Sequence, residues 1–260
     1  MSRVNGKIKF LGTGGSMGVP VVACSCSVCT SSDVKNKRLR VSALIQVEDK
    51  IFLIDAGPDF RTQALTNNIM RLDGLLITHP HFDHVAGIDD LRVFHFFHKK
   101  TVPCLLSQES LKAIEKSHAY LFESNEKARF DFHVLKDSQG EVMFQGLKWH
   151  YTSFLQKNDK VTGFRLGNMA YILDIRSFSE DIFEMLEGVE ILILSALKYH
   201  PSPSHFSIEE AVSFSQKVGA KKTYLSHLAH EVDYEEGSRI LPSHVKLAYD
   251  GLEVGFCAIP

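Results

Sequence analysis

The sequence predicts an α/β protein built as a four-layer αββα sandwich, in which two β-sheets pack face to face and helices cover both outer faces. Short apolar segments rich in β-branched residues recur along the whole chain of 260 residues. Amphipathic helical segments separate some of them, and the strands come in runs instead of alternating strictly with helices, a pattern typical of two packed sheets. The sequence has no internal repeat and no convincing linker, so we expect a single domain over residues 1–260.

The strand segments are defined by their length and their β-branched content. In the first half of the chain they are residues 8–11, 42–47, 51–54, 74–78 and 102–106. In the second half they are residues 147–153, 162–166, 169–173, 191–194, 222–226, 245–248 and 254–257. Helical periodicity marks residues 107–119, 179–186 and 207–218. The last helix begins Ser207-Ile208-Glu209-Glu210, a capping-box pattern.

The bulk composition is that of an ordinary globular protein, with 44% hydrophobic and 23% charged residues. No apolar run approaches the roughly 20 residues of a membrane span, and the N-terminus lacks the apolar stretch of a signal peptide. We therefore expect a cytoplasmic protein with no membrane partner. The net charge of -2 argues against a broad nucleic-acid surface, which usually requires a basic face.

One basic cluster interrupts this even distribution of charge. It comprises Lys35, Lys37, Arg38 and Arg40. A charge run of this length is usually a solvated loop, but it can also form a local patch that steers phosphate groups toward a nearby site. Both interpretations remain open from the sequence.

The motif Thr78-His79-Pro80-His81-Phe82-Asp83-His84 is the strongest functional signal. It follows an apolar strand segment, and a strand end that leads into a turn lets side chains converge on one point. His79 and His81 can bind one cation, while Asp83 and His84 serve a second. Imidazole and carboxylate suit zinc, manganese or iron, so the motif predicts a metal site in preference to a histidine-rich surface turn.

Two further predicted strands end in residues that can bind metals, namely Asp174 and His227. A carboxylate that bridges two cations can hold them about 3.5–4 Å apart, the spacing of two-metal hydrolases. Asp174 could instead cap a helix, and His227 could be a core histidine. The pattern His227-Leu228-Ala229-His230 favours metal binding for the histidine.

The chain has five cysteines, and three of them lie in Cys24-Ser25-Cys26-Ser27-Val28-Cys29. An odd number and the lack of a secretory signal argue against a disulfide framework. Three thiolates can bind zinc, and a fourth ligand is needed to close a tetrahedral structural site. The alternative is a loop with three reduced cysteines and no metal.

Together these motifs resemble the metallo-β-lactamase superfamily, and within it the PhnP-like phosphodiesterases of the carbon–phosphorus lyase pathway. The similarity includes Leu11-Gly12-Thr13-Gly14-Gly15-Ser16 near the start of the chain and Leu53-Ile54-Asp55-Ala56-Gly57 on an early strand. It also includes Leu247-Ala248-Tyr249-Asp250-Gly251-Leu252-Glu253 at the end. Because the resemblance spans nearly the whole chain, it implies the metallo-β-lactamase fold.

The resemblance also implies two divalent metals in the active site, zinc or manganese, and one structural zinc. The ligands implied for the first metal are His79, His81 and Asp174. Those implied for the second are Asp83, His84, Asp174 and His227. Those implied for the structural zinc, in a zinc-binding loop at about residues 18–40, are Cys24, Cys26, Cys29 and His230.

The catalytic residues expected from the resemblance are Asp83 and His205. A hydroxide between the metals would attack phosphorus, and His205 would give a proton to the leaving oxygen. His205 could alternatively be a helix-entry histidine with no catalytic part. Asp55 would orient one of the ligands from outside the metal's own coordination sphere.

The sequence departs from the PhnP-like pattern at the first metal. Where these enzymes usually have another histidine, alignment on Gly163-Phe164-Arg165 places Gln156, whose amide oxygen is a weaker and doubtful ligand. The remaining ligands and the bridging hydroxide would still suffice for tetrahedral zinc. His150 could substitute only if the loop bends differently.

The predicted function is hydrolysis of a small phosphodiester, such as a cyclic ribose phosphate or a nucleotide. Alternatives are a degenerate one-metal or non-catalytic binding protein, an RNA-processing nuclease of the same superfamily, and a thioester or lactam hydrolase. A cofactor-pathway role remains open because pyrroloquinoline quinone biosynthesis protein B is similar in its cysteine site. Nucleic acid is not an expected partner, and a homodimer is implied by the family resemblance alone.

Overall fold

The protein, described by a computed structural model over residues 4–122 and 129–258, contains two seven-stranded sheets. Its strands in chain order are β1 (Val4–Gly12), β2 (Ser42–Val47), β3 (Lys50–Ile54), β4 (Gly74–Leu76), β5 (Val102–Ser107), β6 (Phe130–Leu135), β7 (Gln139–Phe144), β8 (Leu147–Gln156), β9 (Asp159–Leu166), β10 (Met169–Ile172), β11 (Ile191–Ser195), β12 (Lys222–Ser226), β13 (Val245–Leu247) and β14 (Glu253–Ala258).

Each sheet has an antiparallel half and a parallel half. The first sheet has the order β14-β1-β2-β3-β4-β5-β6, with parallel pairing from β3 to β6. The second has the order β13-β12-β11-β10-β9-β8-β7, with parallel pairing from β10 to β13. In open α/β sheets, ligands bind beyond the carboxyl ends of parallel strands, so these halves are where a site is expected.

The helices are short and lie between strands. They are α1 (Ser27–Thr30), α2 (Phe60–Thr66), α3 (Phe82–Val85), α4 (Arg92–His98), α5 (Gln108–Ser117), α6 (Ile182–Leu186), α7 (Ile208–Val218) and α8 (Tyr234–Ile240). In α7 the predicted capping box is formed, because Ser207 Oγ accepts from the Glu210 N–H and Glu210 accepts from the Ser207 N–H. No helix among the described residues is long and apolar enough to cross a membrane.

Three buried clusters account for the layers. The central cluster joins the facing surfaces of the two sheets, where the rings of Phe52 and Trp149 meet edge to face at 5.3 Å. A second cluster packs the outer face of the second sheet against α6 and α7, and a third packs the first sheet around Phe60, Phe94 and Ile114 of α2, α4 and α5. The predicted four-layer αββα sandwich is therefore confirmed.

The prediction missed two strands, β6 and β7. The sequence of β6 alternates Phe130, Phe132 and Val134 with polar residues, a half-buried strand pattern that could have been found. β7 is a polar edge strand exposed at most positions, so its sequence carries little strand signal. The helix predicted at residues 179–186 begins only at Ile182.

Candidate metal centre

The candidate metal centre lies where strands of both sheets end. Asp55 follows β3, the histidine motif follows β4, Asp174 comes shortly after β10 and His227 follows β12. The backbones of Asp55, Asp174 and His227 are left-handed, with φ of 58°, 57° and 59°. Residues other than glycine adopt this conformation rarely, at a cost of about 1–3 kcal/mol each, and such strain concentrates at functional sites.

Asp55 accepts hydrogen bonds from Thr78 at the start of the histidine motif and contacts the ring of His84. Its carboxylate accepts from the backbone N–H of Thr78 at 2.8 Å and from Thr78 Oγ1 at 2.7 Å. Asp55 Oδ2 also lies 2.7 Å from Nδ1 of His84. An imidazole that donates through Nδ1 to a carboxylate keeps Nε2 available as a ligand. This geometry suits the orienting role predicted for Asp55.

Asp174 is at the centre of the converging side chains. Its Oδ2 lies 2.8 Å from His84 Nε2 and 3.7 Å from His79 Nε2. Its Oδ1 lies 3.2 Å from His227 Nε2, which is also 3.4 Å from Asp83 Oδ2. The described residues form three groups here with the spacing of metal ligands: His79, His84 and Asp174; Asp83, His84 and His227; and Asp174, His205 and His227.

Several buried polar atoms of this cluster are placed as metal ligands would be. Both carboxylate oxygens of Asp174 and Nε2 of His84 are buried, and they lack a well-aligned hydrogen bond to any residue in the described ranges. A buried carboxylate without hydrogen bonds is costly even when imidazole rings lie close to it. Divalent cations take carboxylate oxygen and imidazole nitrogen as ligands, so metal binding would satisfy these atoms.

The protonation states also suit metal binding. Burial, with His84 nearby, places the pKa of His79 well below its usual value, which keeps the ring neutral. Against the effect of burial, contacts with His227 and His84 hold the pKa values of Asp83 and Asp174 well below their usual range. Neighbouring carboxylates raise the pKa values of His84 and His227 against the effect of burial. A metal would bind these two rings by displacing protons.

One ring nitrogen of His81 contacts His79, and the other ring nitrogen contacts Asp159 on the side away from the cluster. Nδ1 of His81 lies 3.0 Å from Nε2 of His79, and Nε2 of His81 lies 3.2 Å from Asp159 Oδ2. A carboxylate partner of this kind fixes the ring orientation of a ligating histidine. Asp159 is not among the site residues predicted from the sequence. The feature that could have indicated it is a carboxylate three residues after Gln156, at the start of β9.

Gln156 ends β8 and contacts His205. The two Nε2 atoms are 3.1 Å apart, and Nδ1 of His205 lies 3.1 Å from Asp174 Oδ1. Both side chains are buried. His150, considered above as a substitute ligand, lies instead beside Glu141 at 3.8 Å and outside every metal-type group among the described residues.

The three clustered cysteines converge on one histidine. The Sγ atoms of Cys24, Cys26 and Cys29 lie 3.3, 3.5 and 3.6 Å from Nδ1 of His230. In tetrahedral zinc, bonds of about 2.3 Å to sulfur and about 2.0 Å to nitrogen place these atoms about 3.6 Å apart. The N–H of Cys29, donating to Cys26 Sγ, lowers the pKa of Cys26 to about 6. These four residues therefore suggest a structural metal.

Arg38 ties the cysteine loop to the segment that carries His227 and His230. Its buried guanidinium donates to the carbonyl oxygens of Ala229 at 3.1 Å and Val232 at 2.7 Å. Arg38 is 1% exposed, so it belongs neither to a solvated loop nor to a phosphate-steering patch. Its role is structural.

The other cationic side chains of the basic cluster also contact neighbouring groups of the protein. Arg40 forms an ion pair with Asp59 at 2.9 Å, and Lys35 lies over the Tyr234 ring at 4.4 Å. Lys37 donates to the carbonyl oxygen of Cys29 at 3.2 Å. These three side chains are partly exposed, and each also contacts a neighbouring group of the protein.

Glycine is required at one point where backbone approaches the centre. A Cβ at Gly57 would lie 2.0 Å from the carbonyl oxygen of Asp83, so only glycine leaves room for the histidine motif. This contact explains physically why the motif around Gly57 accompanies the histidine motif.

Comparison with known proteins is consistent with this geometry. A family model described as the beta-lactamase superfamily domain matches residues 50–228. The chain is similar to a crystal structure of a new diphosphatase from the PhnP family, with TM-score 0.92, 35% identity and 99% of each chain covered. It is similar in fold to Zn²⁺-bound PqqB from Methylobacterium extorquens, with TM-score 0.77, 18% identity and coverage of 95% and 99%.

Two relatives of known name differ in the share of their own length that this chain matches. An octanoyltransferase from Porphyromonas gingivalis is 36% identical over 249 residues, which are 94% of this chain and 50% of that protein. The chain thus spans half the length of this relative. The exodeoxyribonuclease WalJ from Streptococcus pneumoniae is 26% identical over 219 residues, covering 75% of this chain and 80% of that protein.

Proposed function

The chain belongs to the metallo-β-lactamase superfamily, and we propose that it is a metal-dependent phosphodiesterase that hydrolyses a small phosphodiester in the manner of PhnP-like enzymes. The observation that carries the proposal is the buried carboxylate of Asp174, whose oxygens lie among His79, His84 and His227 without a well-aligned hydrogen bond to any described residue. Zinc or manganese, when bound, lowers the pKa of water and neutralises charge that builds on the phosphoryl oxygens.

The proposed ligand sets are those implied by the resemblance to PhnP-like enzymes: His79, His81 and Asp174 for one metal, and Asp83, His84, Asp174 and His227 for the other. Among the described residues, the metal-type groups contain all of these except His81, which contacts His79. Asp55 and Asp159 hold the outer nitrogens of His84 and His81, which keeps the inner nitrogens aimed at the cluster. The four-residue cysteine and histidine group is proposed to bind a structural zinc.

His205 is proposed to give a proton to the leaving oxygen. Nε2 of His205 lies 3.1 Å from the Gln156 amide and Nδ1 lies 3.1 Å from Asp174 Oδ1, so both contacts orient the ring. In the proposed step the ring starts as imidazolium, with a proton on each nitrogen. As the P–O bond breaks, the leaving oxygen takes one of these protons and departs as a hydroxyl group, which leaves a neutral imidazole.

We expect His205→Ala to lower kcat/KM by about 10²–10³-fold for adenosine 2′,3′-cyclic phosphate, whose leaving alkoxide needs a proton. For bis(p-nitrophenyl) phosphate the loss should stay below about tenfold, because p-nitrophenolate is stable without protonation. Steady-state kinetics with zinc- and manganese-loaded protein measure both values. Removing the metals with a chelator should abolish turnover of both substrates.

The control for this variant is His133→Ala, which alters a half-exposed histidine on β6. Metal content by elemental analysis should be unchanged in both variants. Loss of one metal from His205→Ala alone would mean that His205 is a ligand, as its grouping with Asp174 and His227 would also allow. If the metal-loaded wild type hydrolyses neither substrate, the proposed phosphodiesterase function is wrong.

We expect Gln156→His to retain the first metal more tightly during dialysis, because imidazole is a stronger ligand than an amide oxygen. Turnover should stay within about threefold of wild type or rise. Elemental analysis after timed dialysis and steady-state kinetics provide the two readouts. A large loss of turnover with full metal content would show that the contact of Gln156 with His205 matters more than ligation.

A nuclease is the main alternative within the superfamily, since one relative is an exodeoxyribonuclease. The charge distribution does not favour it for this chain. Arg38 is buried, Arg40 is paired with Asp59, and Lys35 lies on Tyr234, so the basic cluster does not offer a phosphate-binding groove. Octanoyl transfer is not proposed either, because the chain matches half of the relative that bears that name.

A further inference from the structure

Phe82 is a large aromatic side chain that faces solvent beside the proposed metal centre. It is the first residue of α3, between the proposed ligands His81 and Asp83. The other three residues of this short helix are buried, whereas Phe82 is 71% exposed. One exposed apolar residue is ordinary on a protein surface, so a role for Phe82 follows only from the position and the surroundings of its ring.

The ring of Phe82 contacts no other aromatic ring and no cationic group among the described residues. Three other exposed aromatic rings do have such a partner: Arg92 lies over Tyr120 at 5.9 Å, Arg129 over Phe96 at 5.1 Å, and Phe132 against Phe122 at 5.4 Å. A ring face without a partner is a surface on which another flat ring can stack.

The proposed metal centre opens to solvent on the side of His81. The side chain of His81 is 39% exposed, whereas the side chains of the other proposed active-site ligands are at most 10% exposed. His205, the proposed proton donor, lies 3.1 Å from Oδ1 of Asp174. The other oxygen of Asp174 lies 3.7 Å from His79, whose ring contacts His81. A substrate whose leaving oxygen is at His205 can therefore extend the group that stays on phosphorus toward His81 and the adjacent Phe82.

We propose that Phe82 stacks on the base of a nucleoside that stays bonded to phosphorus, so that nucleoside phosphodiesters are the preferred substrates. The inference rests on the proposed phosphodiesterase function and names its substrate class. In the reaction, water adds to phosphorus, the P–O bond to the leaving group breaks, and the products are a nucleoside monophosphate and the freed leaving group. Every base has a π-face, so Phe82 selects for the presence of a base and not for one particular base.

Two esters with the same leaving group test the proposal. The p-nitrophenyl ester of thymidine 5′-monophosphate is compared with that of 1,2-dideoxyribose 5-phosphate, which has the same sugar and phosphate but no base. We expect metal-loaded wild type to prefer the thymidine ester by about 5- to 30-fold in kcat/KM, as is typical of a base stacked on an aromatic side chain. Stacking is present before the reaction and persists through it, so the preference should appear mainly in KM.

Phe82→Ala should lower kcat/KM of the thymidine ester to about that of the base-free ester. Phe82→Leu keeps an apolar side chain without a ring and should lose most of the preference, whereas Phe82→Trp should keep or increase it. Phe97→Ala is the matched control, because Phe97 on α4 is 81% exposed and also lacks a ring or cation partner among the described residues. It should change kcat/KM of neither ester.

Elemental analysis and circular dichroism accompany the kinetics, because Phe82 is adjacent to two proposed ligands, and Phe82→Leu supplies the comparison if Phe82→Ala does not fold. Equal losses on both esters, a preference that survives the loss of the ring, or no preference in the wild type despite turnover would overturn this inference alone. If the metal-loaded wild type hydrolyses neither ester nor bis(p-nitrophenyl) phosphate, the proposed function is wrong and this inference with it.

Discussion

We expect His84→Ala to lower kcat/KM for bis(p-nitrophenyl) phosphate by at least about 10³-fold. Nε2 of His84 belongs to two of the three metal-type groups and lies 2.8 Å from Asp174 Oδ2, so its loss removes a ligand and opens the cluster. The substitution also leaves the buried carboxylate of Asp55 without its ring partner. Elemental analysis should find less active-site metal in this variant than in the wild type.

The experiment must distinguish loss of catalysis from loss of folding in the variant. Removing one partner of a buried charged pair is destabilising, so circular dichroism and thermal unfolding accompany the kinetics, and His84→Gln serves as a less disruptive second variant. His150→Ala is the matched control, since that histidine lies beside Glu141 and away from the cluster. A folded His84→Ala protein that keeps more than about a tenth of wild-type kcat/KM would contradict the proposed metal centre.

The fold could be predicted well from local patterns because most strands are buried. The segments at β2 and β12 were predicted to the residue, since apolar, β-branched runs bounded by polar residues define them. β7 was missed because an exposed edge strand needs no apolar residues on most positions. The late start of α6, at Ile182, reflects an irregular connection after Asp174 that periodicity does not encode.

The candidate site was predictable where the proposed ligands follow strands. Asp174 and His227 follow β10 and β12, which pair in parallel with β11 and so end at the same edge of the second sheet. The histidine motif follows β4 of the first sheet, which packs face to face with the second. The partners outside the cluster were harder to find. Asp159 approaches His81 from the hairpin between β8 and β9, and no local pattern records that contact.

Side chains that anchor loops through long-range hydrogen bonds also cannot be identified from local sequence patterns. Arg38 belongs in sequence to a short run of charged residues, yet it is buried and donates to two carbonyl oxygens almost 200 residues away. The left-handed backbones of Asp55, Asp174 and His227 are equally unpredictable, since local preference disfavours them and the surrounding sheets impose them.

We expect Cys26→Ser to lose the structural zinc and to weaken turnover by about tenfold or more. Cys26 is one of three thiols within 3.6 Å of His230 Nδ1, and His230 is three residues from the proposed ligand His227 on the same segment. Zinc contributes about 10–16 kcal/mol in finger peptides. In this protein Arg38 also anchors the loop, so we expect the free energy of unfolding to fall by only about 3 kcal/mol. That decrease lowers Tm by about 6–12 °C in a chain of this size.

Cys257→Ser is the matched control, because that half-buried cysteine lies on β14, outside the cysteine and histidine group. It should keep all zinc, the wild-type Tm and full turnover. Hydrogen exchange should rise in Cys26→Ser both in the loop 18–40 and at residues 227–230, since the loss of one anchor frees both ends of the connection. Loss of zinc with unchanged exchange at 227–230 and unchanged kcat/KM would mean that the two sites, although joined by one short segment, do not support each other.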